Sequence, residues 1–211
     1  MKFLAVRTAL ADVVQYRFFS ENKTLFCSAT IPVQTSSLVN IHQEQSCLRS
    51  TFNSDFTIQP GLMREVSETE TGNVVFSLLL DTYSTYEIAC PGRILNVFFD
   101  DRRGVIFTNE KREEVAMLYR LCGDTSFVAA RGSASEQLAF LVECDDRLSE
   151  HERISILSFP LLRFDLQEIA AALVAAKNGT DPRETGIIIR PYIHFFYRED
   201  ILSEFLPDGT E

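Results

Sequence analysis

Residues 94–107 read ILNVFFDDRRGVIF, two apolar runs separated by a polar segment that ends in glycine. Runs rich in β-branched and aromatic side chains favour strands, and a short polar loop with glycine lets the chain reverse between them. The stretch therefore predicts a β-hairpin, with strands at 94–99 and 105–107 and a turn near Arg102.

The same plan recurs towards the N-terminus. Residues 16–19 and 24–31 flank the polar loop Ser20 to Lys23, and residues 62–66 and 74–80 flank a loop that contains Gly72. These patterns predict turns near Glu21 and Thr71. In the arm that follows Lys23, alternation places one set of side chains on a single face: Leu25, Cys27, Ala29 and Ile31. Four further strands are predicted at 86–90, 115–121, 126–131 and 137–143.

A different pattern follows residue 145. Ser149 and Glu152 have capping-box spacing before the apolar run from Ile154, which predicts a helix that Pro160 bends or stops. A second helix is predicted over residues 166–177, where Leu166, Ile169, Ala170, Leu173 and Val174 form one stripe and Gly179 follows as a C-terminal cap. A strand is predicted over residues 186–197.

These elements predict a mainly β (α+β) fold. The expected architecture is an antiparallel, hairpin-built barrel or sandwich with a late hydrophobic helix and an additional C-terminal helix-strand extension. The chain of 211 residues is interpreted as a single domain, 1–211. Residues 13–164 form its hairpin-rich, barrel-like part, and residues 165–211 form the extension.

The overall charge disfavours whole classes of partner. Thirty acidic residues against twenty basic ones give a formal net charge of -10, which repels phosphate backbones, so nucleic acid is not an expected partner. The sequence contains no apolar run of the roughly 18 residues that a membrane-spanning helix needs, so no integral membrane association is expected. Five scattered cysteines without a CxxC pair argue against a disulfide framework and favour a reducing, cytoplasmic location.

Sequence motifs for catalysis and metal binding are missing. The chain has no glycine-rich phosphate loop, no Gly-x-Ser-x-Gly elbow and only three histidines, His42, His151 and His194. No catalytic residue, metal ligand or cofactor is therefore predicted. An enzyme is the competing class, namely a hydrolase whose site is assembled from separate strands.

One set of side chains suits ligand binding. Within the predicted strand 186–197, alternation places Arg190, Tyr192 and His194 on one face, with Arg198 just beyond its end. Guanidinium and imidazole groups bind carboxylates and phosphates, and Tyr192 can stack or donate a hydrogen bond. These four residues are the predicted anionic ligand site. The alternative is a solvated strand face paired with nearby acidic residues.

The hairpins with polar Asp, Asn and Gly turns, followed by the apolar segment Ile154 to Leu162, resemble the tubby C-terminal-like superfamily. That group includes the plant LURP-one-related proteins and the phospholipid scramblases, in which a β-barrel surrounds a hydrophobic helix. The resemblance covers residues 13–164. It implies a non-catalytic scaffold or binding module, but the basic phosphoinositide-binding surface of tubby proteins has no counterpart in this acidic chain.

Three functional hypotheses follow. The first is a non-catalytic intracellular module that recognises a protein or a small anionic ligand. The second is the hydrolase, and the third is a self-assembling structural protein, a homo-oligomer formed through strand edges or a Phe-rich surface.

Overall fold

The computed structural model describes residues 1–9, 13–32, 38–43, 46–51, 63–80, 85–100, 103–120, 136–162, 175 and 177–180. Within them, twelve strands and one complete helix are defined. They are β1 (Lys2–Ala9), β2 (Val13–Ser20), β3 (Leu25–Pro32), β4 (Leu38–Gln43), β5 (Ser46–Thr51), β6 (Met63–Glu68), β7 (Val74–Leu80), β8 (Tyr86–Cys90), β9 (Arg93–Asp100), β10 (Gly104–Thr108), β11 (Glu114–Arg120), β12 (Glu136–Cys144) and α1 (Glu150–Pro160).

Each strand pairs antiparallel with its neighbour in sequence, and β1 pairs with both β2 and β12. The order of strands therefore returns to its start, and the sheet closes on itself. Closure satisfies backbone groups that an edge strand would leave unpaired. The prediction of a mainly β, antiparallel fold is confirmed.

The hairpins predicted from turn chemistry are present. β2 and β3 are joined by a turn after Ser20, and β6 and β7 by a turn in which Gly72 has a φ of 72°. That left-handed conformation is one that glycine adopts without steric cost. β9 pairs with β10 from Gly104 opposite Asp100. The predicted turn position Arg102 and the predicted strand at 126–131 lie outside the described residues.

Three strands were not predicted, namely β1, β4 and β5. Buried Val39 and Ile41 alternate with polar neighbours in β4, a pattern too short to predict a strand from the sequence. β1 precedes residue 13, so the closed sheet begins before the region to which the resemblance was assigned. The prediction for Leu25 was wrong, because a register shift at Phe18/Phe19 separates Leu25 from the buried face and leaves it exposed.

Helix α1 fills the space that the sheet encloses. Every residue from Ile154 to Leu162 is buried, including Ser155 and Ser158. The two serine hydroxyls donate to backbone carbonyls of the helix, at 2.7 Å to Glu152 and 2.6 Å to Ile154. A helix that is buried all round needs its polar groups satisfied internally, and these bonds provide that.

The predicted capping box at the start of α1 is confirmed. The Ser149 hydroxyl accepts from the backbone N–H of Glu152, and the Glu152 carboxylate accepts from the backbone N–H of Ser149. Pro160 lies inside the last turn and does not end the helical conformation, which continues to Leu161 with φ −65° and ψ −50°. Further along, Thr180 N–H donates to the Ala175 carbonyl and Gly179 has a φ of 65°, which agrees with the predicted glycine cap.

A half-buried cation stabilises the far end of α1. The guanidinium of Arg64, on β6, donates to the carbonyl of Leu162. Burial lowers the pKa of Arg64 to about 10, so the side chain still carries its charge at neutral pH. The last turn of α1 contains no basic residue of its own. Arg64 thus supplies from the sheet the positive charge that favours a helix C-terminus.

The outer face of the sheet is not uniform. β2 and β3 alternate between buried and half-buried residues, whereas β1 and β10 bury both faces. A second apolar cluster lies on the outer side of this region and consists of Leu4, Val6, Tyr119 and Leu141. Among the residues that the structure describes, no helix has the length and apolarity that a membrane-spanning helix needs.

We predict that Phe159→Ala lowers the free energy of unfolding by about 4 kcal/mol, because it leaves a cavity beside three aromatic rings. The ring centroid of Phe159 lies 5.5 Å from that of Tyr86, 5.6 Å from that of Phe107 and 6.2 Å from that of Phe99. Urea unfolding followed by circular dichroism measures the change.

Phe98→Ala is the matched control, since Phe98 lies on the outer face and is 43% exposed. The Phe98→Ala substitution should lower the free energy of unfolding by less than about 1 kcal/mol. If Phe159→Ala does not fold, the smaller loss of unfolding free energy caused by Phe159→Leu is measured instead. Equal losses at positions 98 and 159 would contradict the central packing of α1.

A rim cleft at the entrance of helix α1

A cleft of about 240 Å³ lies where α1 enters the closed sheet. The β10–β11 turn, the β12–α1 connection and the first residue of β9 surround it. Its lining residues are Arg93, Asn109, Glu110, Lys111, Glu113, Val115, Asp145, Arg147 and Leu148. We call this the rim cleft.

One wall is a turn that Asn109 holds in shape. The Asn109 Oδ1 accepts from the backbone N–H groups of Lys111 and Glu113, at 2.9 and 3.0 Å. The Asn109 Nδ2 donates to the Glu113 Oε2 at 2.7 Å. Asparagine favours turns because its side chain can bond its own backbone in this way. The turn is therefore fixed, and Lys111 is presented on it in a defined position.

The opposite wall depends on Asp145. Its carboxylate accepts from the backbone N–H and the guanidinium of Arg147 at 2.5–3.0 Å, and its backbone N–H donates to the Val115 carbonyl at 2.8 Å. The hydrogen bonds from Arg147 hold the pKa of Asp145 well below its usual range. Leu148 is buried beneath this connection. The acidic pair Asp145-Asp146 is thus a structured connection in which Asp146 also pairs with the Met1 amine at 2.7 Å.

The inner end of the rim cleft contacts the helix through Arg93. The Arg93 Nη1 lies 2.8 Å from the Glu152 Oε1, while the Glu152 Oε2 closes the capping box. Glu152 is buried, and Arg93 is 39% exposed at the side chain. A single carboxylate therefore joins the helix cap to a cation that lines the cleft.

The charges of the rim cleft balance formally. Three basic side chains, Arg93, Lys111 and Arg147, face three acidic ones, Glu110, Glu113 and Asp145. Long-range attraction of an ion is therefore small, and recognition depends on short-range hydrogen bonds.

Hydrogen-bonding capacity is less balanced than charge. Both oxygens of Asp145 are used by Arg147, and the Glu110 Oε1 accepts from the Ile94 N–H at 2.9 Å. Among the described residues, the Lys111 ammonium makes no hydrogen bond or ion pair. The rim cleft thus offers an ammonium donor that can bind an acidic group.

The described cysteines do not have the character of nucleophiles. Cys27, Cys90 and Cys144 are free and buried, as expected for cysteines within apolar strands. Burial raises the pKa of both Cys27 and Cys144 to about 12, and it also raises the pKa of Cys90, whose Sγ lies 3.5 Å from the Ser155 Oγ. Reactive cysteines need the opposite environment. Within the described ranges, no three His, Cys, Asp or Glu side chains are placed to hold a metal ion.

The predicted ligand residues Arg190, Tyr192, His194 and Arg198 lie outside the described residues, and that site stays a prediction. The rim cleft was not predicted as a site. Its cations come from three separate segments of the chain, and of its surroundings only the Ser149 capping box was predicted from the sequence. No family model, curated protein or solved structure matches the chain.

We predict that Arg93→Leu lowers the free energy of unfolding by about 2 kcal/mol, because Glu152 is left buried without its cation. This loss lies between those typical of fully buried and of surface ion pairs. Urea unfolding at low salt measures the loss. Arg103→Leu is the control, since Arg103 pairs with Glu114 at 2.6 Å in an exposed position and its loss should change stability little. Equal effects of the two variants would show that burial of Glu152 is unimportant.

The raised thiol pKa values predict a loss of stability in alkali. In the unfolded chain Cys27 and Cys144 ionise near their ordinary pKa of 9.0, but in the folded protein only near about 12. The two protonated thiols therefore contribute fully to the free energy of unfolding below pH 9. This contribution is lost as the pH rises from 9 towards 12. Unfolding measured between pH 8 and 11 should show this fall, and Cys27→Ser with Cys144→Ser should flatten it. Rapid alkylation of both thiols in the folded protein at pH 8 would contradict the burial.

Proposed function

We propose that this protein is a non-catalytic binding or scaffold module that recognises an acidic group, on a small anionic ligand or on a partner protein, through the rim cleft. The observation that carries the proposal is that α1 occupies the interior of the sheet, while a preformed cleft at its entrance presents a lysine without a partner among the described residues. Because α1 occupies the interior of the sheet, the module binds its ligand at the surface and not inside the sheet.

The rigidity of the walls supports binding. Asn109 fixes one wall and the Asp145–Arg147 pair fixes the other, so an incoming group finds its donors already in place. A site that needs no ordering on binding loses less free energy to conformational entropy. A weak, specific contact with a carboxylate or phosphate is the expected outcome.

The size of the rim cleft restricts the ligand. Pockets that hold drug-sized molecules or cofactors are about 300–1,000 Å³, and this cleft measures about 240 Å³. It fits one acidic group with its nearest atoms and is small for a whole nucleotide. A carboxylate on a protein side chain and a small free anion both meet this requirement.

The architecture supports the resemblance to the tubby C-terminal-like superfamily, which we retain as a proposal. A closed order of antiparallel strands around a buried apolar helix is the arrangement that the resemblance implies, and α1 (Glu150–Pro160) overlaps the segment assigned to that helix, 154–162. The proposal includes the barrel description of this sheet but not the lipid-binding activity of the family.

The cytoplasmic location stays a prediction, supported by three free cysteines within the described residues. Self-association also stays a prediction. Ile94 and Phe98 on the outer face of β9 are exposed, but exposed apolar residues in such small number are normal for a soluble surface.

Lys111→Gln tests the proposed function. With inorganic phosphate and with free glutamate as probes, the unmodified protein should bind at millimolar concentrations, and the variant should bind about tenfold more weakly because a charge-assisted hydrogen bond is lost. Isothermal titration calorimetry at low salt gives both affinities.

Arg112→Gln is the matched control. Arg112 is the next residue of the same turn, is exposed and does not line the rim cleft. Arg112→Gln removes the same charge as Lys111→Gln. Because Arg112 does not line the rim cleft, binding of both probes should be nearly unchanged. Equal weakening by both variants would mean that only net charge matters, and no binding of either probe would contradict the proposal.

A further inference from the structure

A second cleft, of about 320 Å³, lies on the outer side of β11 and β12. Its lining includes Met1, Glu114, Met117, Glu143 and Cys144. Met117 is half-buried there and packs against the outer apolar cluster. Two sulfur-containing side chains besides Met1 thus line one solvent-accessible surface, and their surroundings differ.

The sulfur of Met117 lies between two polar groups. Its Sδ is 3.2 Å from the Tyr119 Oη and 3.7 Å from the Arg103 Nη2. A thioether sulfur is a weak acceptor, and apolar surroundings are its usual site. Two hydrogen-bond donors thus lie close to a sulfur that is itself only a weak acceptor.

These neighbours are held in place by acidic residues. The Tyr119 hydroxyl is 2.9 Å from the Glu143 Oε2, and the Arg103 guanidinium binds Glu114 through both oxygens at 2.7 and 2.6 Å. The Arg103 Nη2 carries two hydrogens, and one of them is used by Glu114. The second can serve an acceptor at the sulfur of Met117.

We propose that Met117 is a modification site, a methionine that hydrogen peroxide oxidises to a sulfoxide whose oxygen accepts a hydrogen bond from Arg103. A sulfur lone pair attacks one peroxide oxygen, the S–O bond forms and the O–O bond breaks. The departing oxygen keeps its hydrogen, takes the proton that the oxygen transferred to sulfur loses, and leaves as water. The sulfur loses two electrons and the peroxide gains them.

Arg103 favours this reaction at two stages. Negative charge develops on the departing oxygen in the transition state, and a guanidinium placed beside it lowers the barrier. The sulfoxide oxygen is then a strong acceptor beside a cationic donor. This bond uses the second hydrogen of the Arg103 Nη2, so the pair between Arg103 and Glu114 is kept.

The thiol in the same cleft does not compete. Cys144 is buried, and its pKa is raised to about 12 by burial, so almost no thiolate is present at neutral pH. Peroxide reacts with thiolates and not with thiols. Selectivity for Met117 over Cys144 therefore follows from their different surroundings within one cleft.

The experiment exposes the folded protein to hydrogen peroxide at neutral pH and follows Met1, Met117 and Cys144 by peptide mass spectrometry. Met1 is 41% exposed and serves as the internal reference. Although half-buried side chains normally react more slowly, Met117 should be oxidised within about threefold of the Met1 rate, with Cys144 unmodified.

Arg103→Gln should slow oxidation of Met117 by about fivefold relative to Met1, because the donor beside the departing oxygen is lost. Arg112→Gln is the control, since it removes another exposed guanidinium, one that lines neither cleft, and should leave the ratio unchanged. Circular dichroism confirms that each variant is folded. An unreactive Met117, or the same ratio in the Arg103 variant as in the unmodified protein, would overturn the proposal.

Discussion

The burial of α1 inside the sheet is the constraint on which the rest of the molecule depends. Phe159 contacts rings from β8, β9 and β10, so one side chain of the helix packs against three adjacent strands of the sheet. A closed sheet of this size encloses more space than its own inward side chains fill. The helix supplies the missing volume, and the strands in turn remove its apolar surface from water.

A helix in such an environment has polar ends that need partners, and the sheet provides them. At the entrance, Ser149 and Glu152 satisfy backbone N–H groups, and Arg93 from β9 neutralises the Glu152 carboxylate. At the exit, Arg64 from β6 binds the Leu162 carbonyl. Negative charge at the N-terminus and positive charge at the C-terminus both oppose the helix dipole. The proposed binding site is a consequence of this arrangement, since the residue that pairs with the cap also lines the rim cleft.

In both clefts, acidic residues hold basic residues in position. Asp145 orients Arg147 at the rim, and Glu114 orients Arg103 on the outer face. An acidic protein can thus present cations at defined points despite a net charge of -10. Fixed cations recognise a group by hydrogen bonding at short range, whereas a net positive field would attract any anion. This distinction explains why composition alone disfavoured polyanionic partners and still left room for a small acidic ligand.

The sequence by itself determined the local features. Gly72 set a turn, alternation in β3 set a buried face, and the Ser149–Glu152 spacing set the start of α1, because each depends on neighbours within a few residues. Tertiary structure decided what depends on distant partners: closure through the β1–β12 pairing, the exposure of Leu25 after a register shift, and the meeting of Arg93, Lys111 and Arg147 in one cleft. Such contacts join segments many residues apart, and the local pattern around each residue carries no information about its partner.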